Sequence, residues 1–280
     1  MTPQHRILVF TDLDGCLLNK TDYSWADAGP TLHRLKRLEI PVVLSSSKTV
    51  AEMRRLQDEM ELAEAPFISE NGGAICWPAG MSSEEEQVTY QGQSRSEIAD
   101  ALDGLRSDFS FVTFRDMGVP GIMEATGLPA DRASAAAERH TTEPLLWQDA
   151  EDRIEAFRAQ IESHALTLTR GGRFWHVAGQ TSKGEAMETV IAEYCKQQPG
   201  VTWTTLAIGD SPIDQSMLDR ADEPIAIPAP DGTLHVELPT ERGVAASVPG
   251  SAGWAETVTA VLDKLCATHH GIGAADETVS

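Results

Sequence analysis

Apolar residues fall along this chain in two alternating patterns: short unbroken runs, and stretches where they recur every three or four positions. The first is the mark of strands buried on both faces, the second of amphipathic helices. Residues 6–11, RILVFT, give a first buried strand. After Pro30, which suits a first helical turn, Leu32, Leu35 and Leu38 mark one helix face, and PVVLS from Pro41 gives a second strand. Thr49, with Glu52 three positions on, predicts a capping box opening a helix striped by Val50, Met53, Leu56 and Met60. PFIS, ending at Ser69, is a third strand. Strand, helix, strand, helix, strand predicts a parallel sheet with crossover helices.

Near residue 80 the alternation gives way to the polar, acidic GMSSEEEQ, and it returns only near residue 182. The intervening pattern predicts a helix over residues 96–105, a strand FSFVTF, a helix over 131–140, a strand PLLW and a helix bearing Ile154, Phe157 and Ile161. Two strands, ALTLTR and RFWHV, then flank Gly171 and Gly172 as a hairpin. From Ser182 the first pattern resumes with a helix carrying Met187, Val190, Ile191 and Tyr194, a strand TTLAIG, a helix after Pro212 and a strand PIAIP. A last helix from near Trp254 shows Val258, Val261, Leu262 and Leu265 on one face, and the tail from His269 is expected to be mobile. The expected fold is α/β: a Rossmann-like parallel core in two parts, residues 1–83 and 180–280, with an α+β domain inserted at 84–179.

Composition narrows the function. Forty-three acidic residues against 22 basic ones give a formal charge of -21, which argues against nucleic acid or an anionic membrane as the main partner. An anionic ligand then needs local positive charge or a metal. The acidity fits a salt-adapted surface or simple solubility equally well. No apolar stretch approaches a membrane span, and MTPQHRILVF lacks the marks of a secretory signal, so a cytoplasmic protein is expected. Cys16, Cys76, Cys195 and Cys266 form no CxxC pair and support neither a disulfide framework nor a zinc site.

The chemistry gathers at strand ends. In FTDLDG, Asp12 and Asp14 are one residue apart, so strand alternation directs both to one side, at the edge where open parallel sheets bind ligands. Two adjacent carboxylates need a cation between them or a proton on one. A hard ion such as Mg2+ prefers oxygen ligands and bridges to phosphate. The plain alternative is a strand ending in an Asx turn. An EF-hand is excluded, because the sixth position is Leu17 and the twelfth Tyr23. Cys16 as a phosphatase nucleophile lacks a nearby arginine. A second strand-end cluster, AIGDSPIDQSML, brings Asp210 and, four residues on, Asp214. Ser46 in LSSSKT and Lys183 in TSKGEA, each near a helix start, suit anionic oxygens, although serines also cap helices and lysines line surfaces.

These four segments together, DLDGCLL, LSSSKT, TSKGEA and GDSPIDQSML, resemble the motifs of the haloacid dehalogenase superfamily of phosphohydrolases, and the insert resembles a type IIB cap. More narrowly, SSKT, ENGG at 70–73, EATGL at 124–128, EPLLW and GGRFWHV resemble the mannosyl-3-phosphoglycerate phosphatase family. The resemblance implies Asp12 as nucleophile, Asp14 as general acid and base, and Ser46 and Lys183 as phosphate binders. It also implies Mg2+ held by Asp12, Asp14 through its backbone carbonyl, Asp210 and, directly or as a support, Asp214. The pattern departs at Cys16, where threonine is usual, and at Ile213, where asparagine is common. The implied reaction is hydrolysis of mannosyl- or glucosyl-3-phosphoglycerate by a monomer or homodimer. Another sugar phosphatase, a phosphomutase and a non-catalytic phosphosugar-binding regulator are the alternatives. Arg170 and Arg173 are candidates for the glycerate carboxylate, while Lys48, Asn71 and Glu124 are further candidates for substrate contact. A solvated hairpin and helix edge explain the arginines and Glu124 as simply.

Overall fold

The structure, a computed structural model, describes residues 4–171, 173–239 and 241–268. Gly172 of the expected hairpin turn and the tail from His269 therefore lie outside the described residues. The first segment forms β1 (Gln4–Thr11), α1 (Gly29–Arg37), β2 (Val42–Ser45), α2 (Val50–Glu59), β3 (Phe67–Ser69), β4 (Ala74–Trp77) and β5 (Gln87–Tyr90). The insert follows as α3 (Arg95–Leu105), β6 (Phe111–Thr113), α4 (Phe114–Thr126), α5 (Ala130–Ala137), β7 (Thr142–Trp147), α6 (Ile154–Ser163), β8 (Leu166–Gly171) and β9 (Phe174–Gly179). The chain then returns with α7 (Lys183–Gln197), β10 (Val201–Gly209), α8 (Gln215–Leu218), β11 (Glu223–Ala226), β12 (Val244–Ala245) and α9 (Gly250–Thr268).

The large sheet runs β12-β11-β10-β1-β2-β3-β4-β5. Its strands are parallel from β12 to β3, as the alternation of strands and helices predicts. Two strands beyond the predicted parallel set, β4 and β5, extend the sheet by turning back antiparallel. ENGG makes that reversal, with Asn71 at φ 58° and Gly72 at φ 101°. The expected division at 83/84 falls ahead of β5, although β5 pairs with β4 in the large sheet.

Both faces of this sheet are covered, which is why its strands read as unbroken apolar runs. Ile7 and Val9 face Leu35, Trp254, Val258 and Leu262 on α1 and α9, while Leu8 and Phe10 face Met187, Val190 and Tyr194 on α7. Each such fully buried aliphatic side chain contributes about 1.5–3 kcal/mol over exposure. Trp254 adds a polar tie by donating from Nε1 to Thr11 Oγ1 at 2.9 Å, at the carboxyl end of β1. The expected capping box of α2 is present, with Thr49 accepting from Glu52 N.

The insert has an antiparallel sheet, β6-β7-β9-β8. One face packs on α3 and α6 through Ile98, Phe157, Ile161, Leu168 and Val177. The other carries Phe174 and His176 and packs with α4 and α5 through Phe114, Ile122, Ala133 and Ala136. This second face turns toward the core, where Arg55 of α2 pairs with Asp131 of α5 at 3.2 Å. The expected strand FSFVTF is cut short at Thr113, which caps α4 instead. Helix α4 is hidden from a periodicity reading by Gly118, at φ 57° and ψ -179°, and by Pro120.

Candidate active site

Asp12 follows β1 and is held to the sheet by its N–H, which donates to Ile208 O of β10 at 2.9 Å. The chain then folds back through Gly15, whose φ of 97° and proximity to Asp210 both demand glycine. A Cβ there would lie 2.5 Å from Asp210 Oδ2. One residue thus supplies the turn and the space that lets the two acidic segments meet.

Lys183, 2% exposed, stands at the first turn of α7, where Ser182 caps by accepting from Glu185 N. Its Nζ donates to Asp12 Oδ1 at 2.5 Å, Asp214 Oδ1 at 2.6 Å and Ser45 O at 3.1 Å. Burial alone would drive the proton off this amine, but the two carboxylates outweigh it and hold Lys183 above the ordinary ammonium range. Asp214 Oδ2 accepts from Asp210 N at 3.2 Å, Ser211 N at 3.0 Å and Ser211 Oγ at 2.8 Å. Both oxygens of Asp214 are therefore occupied.

Carboxylate oxygens of Asp12 and Asp210 and the Cys16 sulfur all lie within 4.8 Å of one another. Lys20 Nζ reaches Asp210 Oδ2 at 3.3 Å from the solvent side. Burial, reinforced by Asp214, Asp14 and Asp210 against the pull of Lys183, pushes Asp12 up to about 8. Burial and Asp214 likewise raise Asp210. Burial and the same carboxylates push the Cys16 thiol well up, so it stays protonated, which fits the exclusion of a thiolate nucleophile. A buried cluster with this surplus of carboxylate over ammonium fits a divalent cation, for which Asp12 and Asp210 offer hard oxygen donors.

Around this centre, Asp14 pairs through Oδ2 with Lys48, while its Oδ1 is buried without a partner. Burial works against the Lys48 ammonium, but Asp14 more than compensates and its pKa is raised. Ser46 is buried, with Oγ accepting from Lys48 N at 3.3 Å and its carbonyl accepting from Asn71 N at 2.9 Å. Asn71 Oδ1 is buried without a partner. Asp12, Asp14, Ser46, Lys48, Asn71, Lys183, Asp210 and Asp214 are thus linked around one rim. The remaining three candidates lie on the insert. Glu124 is exposed on α4, and Arg173 donates to Ala125 O beside it. Arg170 stacks over the Trp175 ring at 5.3 Å, on the strand face shared with Leu166 and Leu168.

Residues that sequence reading passed over join the two domains. Glu70, fully buried, accepts from His140 N at 2.9 Å, Thr141 N at 3.1 Å and Thr142 Oγ1 at 2.5 Å. A Cβ on Gly73 would lie 2.1 Å from Thr141 Oγ1, and one on Gly72 2.3 Å from Ser182 O. An acidic residue wedged between a buried strand and two glycines was the available signal. Arg139, just ahead of β7, is also buried and donates from Nη1 to Ser47 O of the core at 3.2 Å.

A family model for haloacid dehalogenase-like hydrolases matches residues 9–229, which span both acidic clusters and the whole insert. The chain belongs to the haloacid dehalogenase-like hydrolases. A glucosyl-3-phosphoglycerate/mannosyl-3-phosphoglycerate phosphatase of Persephonella marina is 36% identical over 269 residues, covering 92% of this hydrolase and 98% of the relative. The fold is shared with a Thermoplasma acidophilum protein at a TM-score of 0.67 and 14% identity, covering 92% of this chain and 98% of the other. It is shared too with a subclass IIB sugar phosphatase of the superfamily, at a TM-score of 0.62 and 13% identity, covering 91% and 98%. No helix among the described residues of this hydrolase is long and apolar enough to cross a membrane.

Proposed function

We propose that this phosphoric monoester hydrolase cleaves the phosphate ester of glucosyl- or mannosyl-3-phosphoglycerate with the help of Mg2+, releasing the glycosylglycerate and phosphate. The buried Asp12–Lys183–Asp214 array, at 2.5 and 2.6 Å, carries the reading. It presents a carboxylate nucleophile beside a fixed positive charge at the mouth of a parallel sheet. The substrate follows the 36% identical relative.

In this reading Asp12 attacks phosphorus in its ionised form, which Lys183 and a bound cation would favour against the burial that favours its proton, forming an aspartyl-phosphate as the bond to the glycerate oxygen breaks. Asp14 gives that leaving oxygen a proton, then accepts one from the water that attacks the phosphorus and frees Asp12. Lys183 and the backbone amides following Ser46 hold the transferring oxygens. Asp12 and Asp210 would hold the Mg2+, which would supply charge neutralisation for the reaction of two anions. Asp214, with both oxygens occupied, positions Lys183 and the Asp210 backbone instead of ligating the ion.

Phosphate release from a panel of sugar phosphates and sugar phosphoglycerates, with Mg2+ and with a chelator, tests this. The two glycosyl-3-phosphoglycerates should exceed the rest by about ten-fold or more in kcat/KM, chelation should stop turnover, and Asp12→Asn should lower kcat on the order of 10⁴-fold. Equal, slow activity on every ester would make it a generalist, and phosphoryl exchange without free phosphate would make it a mutase.

A further inference from the structure

We propose that Arg139, with His176 beside it, forms a carboxylate subsite on the core-facing side of the insert and selects substrates that carry an acid group next to the phosphate ester. The inference rests on the proposed function for the identity of that acid group, the glycerate carboxylate. The subsite itself stands on geometry.

Arg139 is 9% exposed. Its Nη1 donates to Ser47 O at 3.2 Å and Thr142 Oγ1 at 2.8 Å, and the guanidinium lies 5.7 Å from the centre of the Phe114 ring. Nε is buried with no hydrogen-bond partner. Among the described residues, no carboxylate comes within ion-pair distance of this guanidinium. Other cations of the site and the seam are matched: Lys183 by Asp12 and Asp214, Lys48 by Asp14, Arg95 by Glu143 at 2.5 Å. Glu70, which shares Thr142 with Arg139, is already occupied by three donors. In a chain with 43 acidic residues, a buried arginine left without one is unexpected unless an anion arrives from outside.

The location fits such an anion. Ser47 stands between Ser46 and Lys48, so its bond to Arg139 sets the guanidinium beside the phosphate-binding turn. His176 faces the same side of the insert, opposite Val177, and its Nδ1 is buried without a partner. Phe114 and Phe174, edge to face at 4.9 Å, form an apolar wall that excludes water and strengthens any charge contact made there. The unused Nε edge of a guanidinium matches the two oxygens of a carboxylate. An ester without that group would leave Arg139 uncompensated, which is a strong basis for rejecting it. The arginines that the sequence offers for this role are engaged elsewhere, Arg170 on Trp175 and Arg173 on Ala125 O.

The test compares D-glycerate with glycerol as inhibitors of p-nitrophenyl phosphate hydrolysis by the wild-type enzyme, then repeats it with Arg139→Met and Arg139→Lys. Glycerate should inhibit about ten-fold or more strongly than glycerol, and Arg139→Met should erase that preference. With mannosyl-3-phosphoglycerate, Arg139→Met should lose kcat/KM about ten-fold more than with p-nitrophenyl phosphate. Equal inhibition by glycerate and glycerol in the wild type overturns the proposal without any variant, and so does an equal loss on both esters. A glycerate preference that depends on Arg139, in an enzyme inactive on glycosyl phosphoglycerates, would uphold the subsite and refute the proposed substrate. The reverse result would refute the subsite alone.

Discussion

At the core rim the buried charges have opposites within reach and the unpartnered atoms are oxygens of Asp14 and Asn71, whereas on the facing side of the insert they are nitrogens of Arg139 and His176, and among the described residues no carboxylate pairs with Arg139. The difference separates two tasks. A rim already arranged around Asp12 and Lys183 needs no substrate to organise it, as suits chemistry common to all phosphate esters. A surface that a ligand must complete gives selectivity instead.

The largest effect that would break this contrast is at Lys183. Lys183→Met would strand Asp12 and Asp214 together in the interior, and removing one member of such a buried array costs about 3–5 kcal/mol. Urea denaturation of metal-free protein reads it, and a neutral result would show that the array is not the pre-arranged element. Gly72→Ala comes next, because its Cβ would meet Ser182 O at 2.3 Å and push on the turn that carries Lys183. It should cost about 1–3 kcal/mol beyond the backbone strain. Gly80→Ala, at a φ of 83° with nothing nearby, should show only that strain, about 1–2 kcal/mol.

The effect that is smallest at neutral pH, and that grows only on acidification, sharpens the insert side. Burial, with the Arg139 charge, lowers His176 from 6.5 to about 3. Between those values the unfolded chain takes up a proton that the folded chain refuses, so this contribution is full above pH 6.5 and falls on acidification toward 3. The slope is about 1.4 kcal/mol per pH unit. His176→Asn should flatten the acid limb of stability by that amount relative to the wild type, and identical acid limbs would mean that the imidazole is hydrated.

The rim was legible because turns and helix caps act locally. Asp12 and Asp14 follow the end of β1 at Thr11 and are placed by the turn through Gly15 rather than by strand alternation, while Thr49 caps where its sequence neighbours predict. Elsewhere, nonlocal or irregular features decide. Helix α4 is interrupted by Gly118 and Pro120, which read as a loop, and β5, mostly exposed, lacks an apolar run to betray it. Glu70 and Arg139 act through backbone groups of the other domain, Thr141 N and Ser47 O, which no pattern along one strand can reveal.

The register of β1 has a consequence for biosynthesis. Gln4 to Thr11 pair residue for residue with Val201 to Ile208, with the whole insert between them. During synthesis β1 therefore waits with one edge open until some two hundred further residues have been made, while the small sheet of the insert can close on its own contacts. Such an exposed apolar edge is an invitation to aggregate, so the order of synthesis leaves this chain dependent on whatever shields that edge in the meantime.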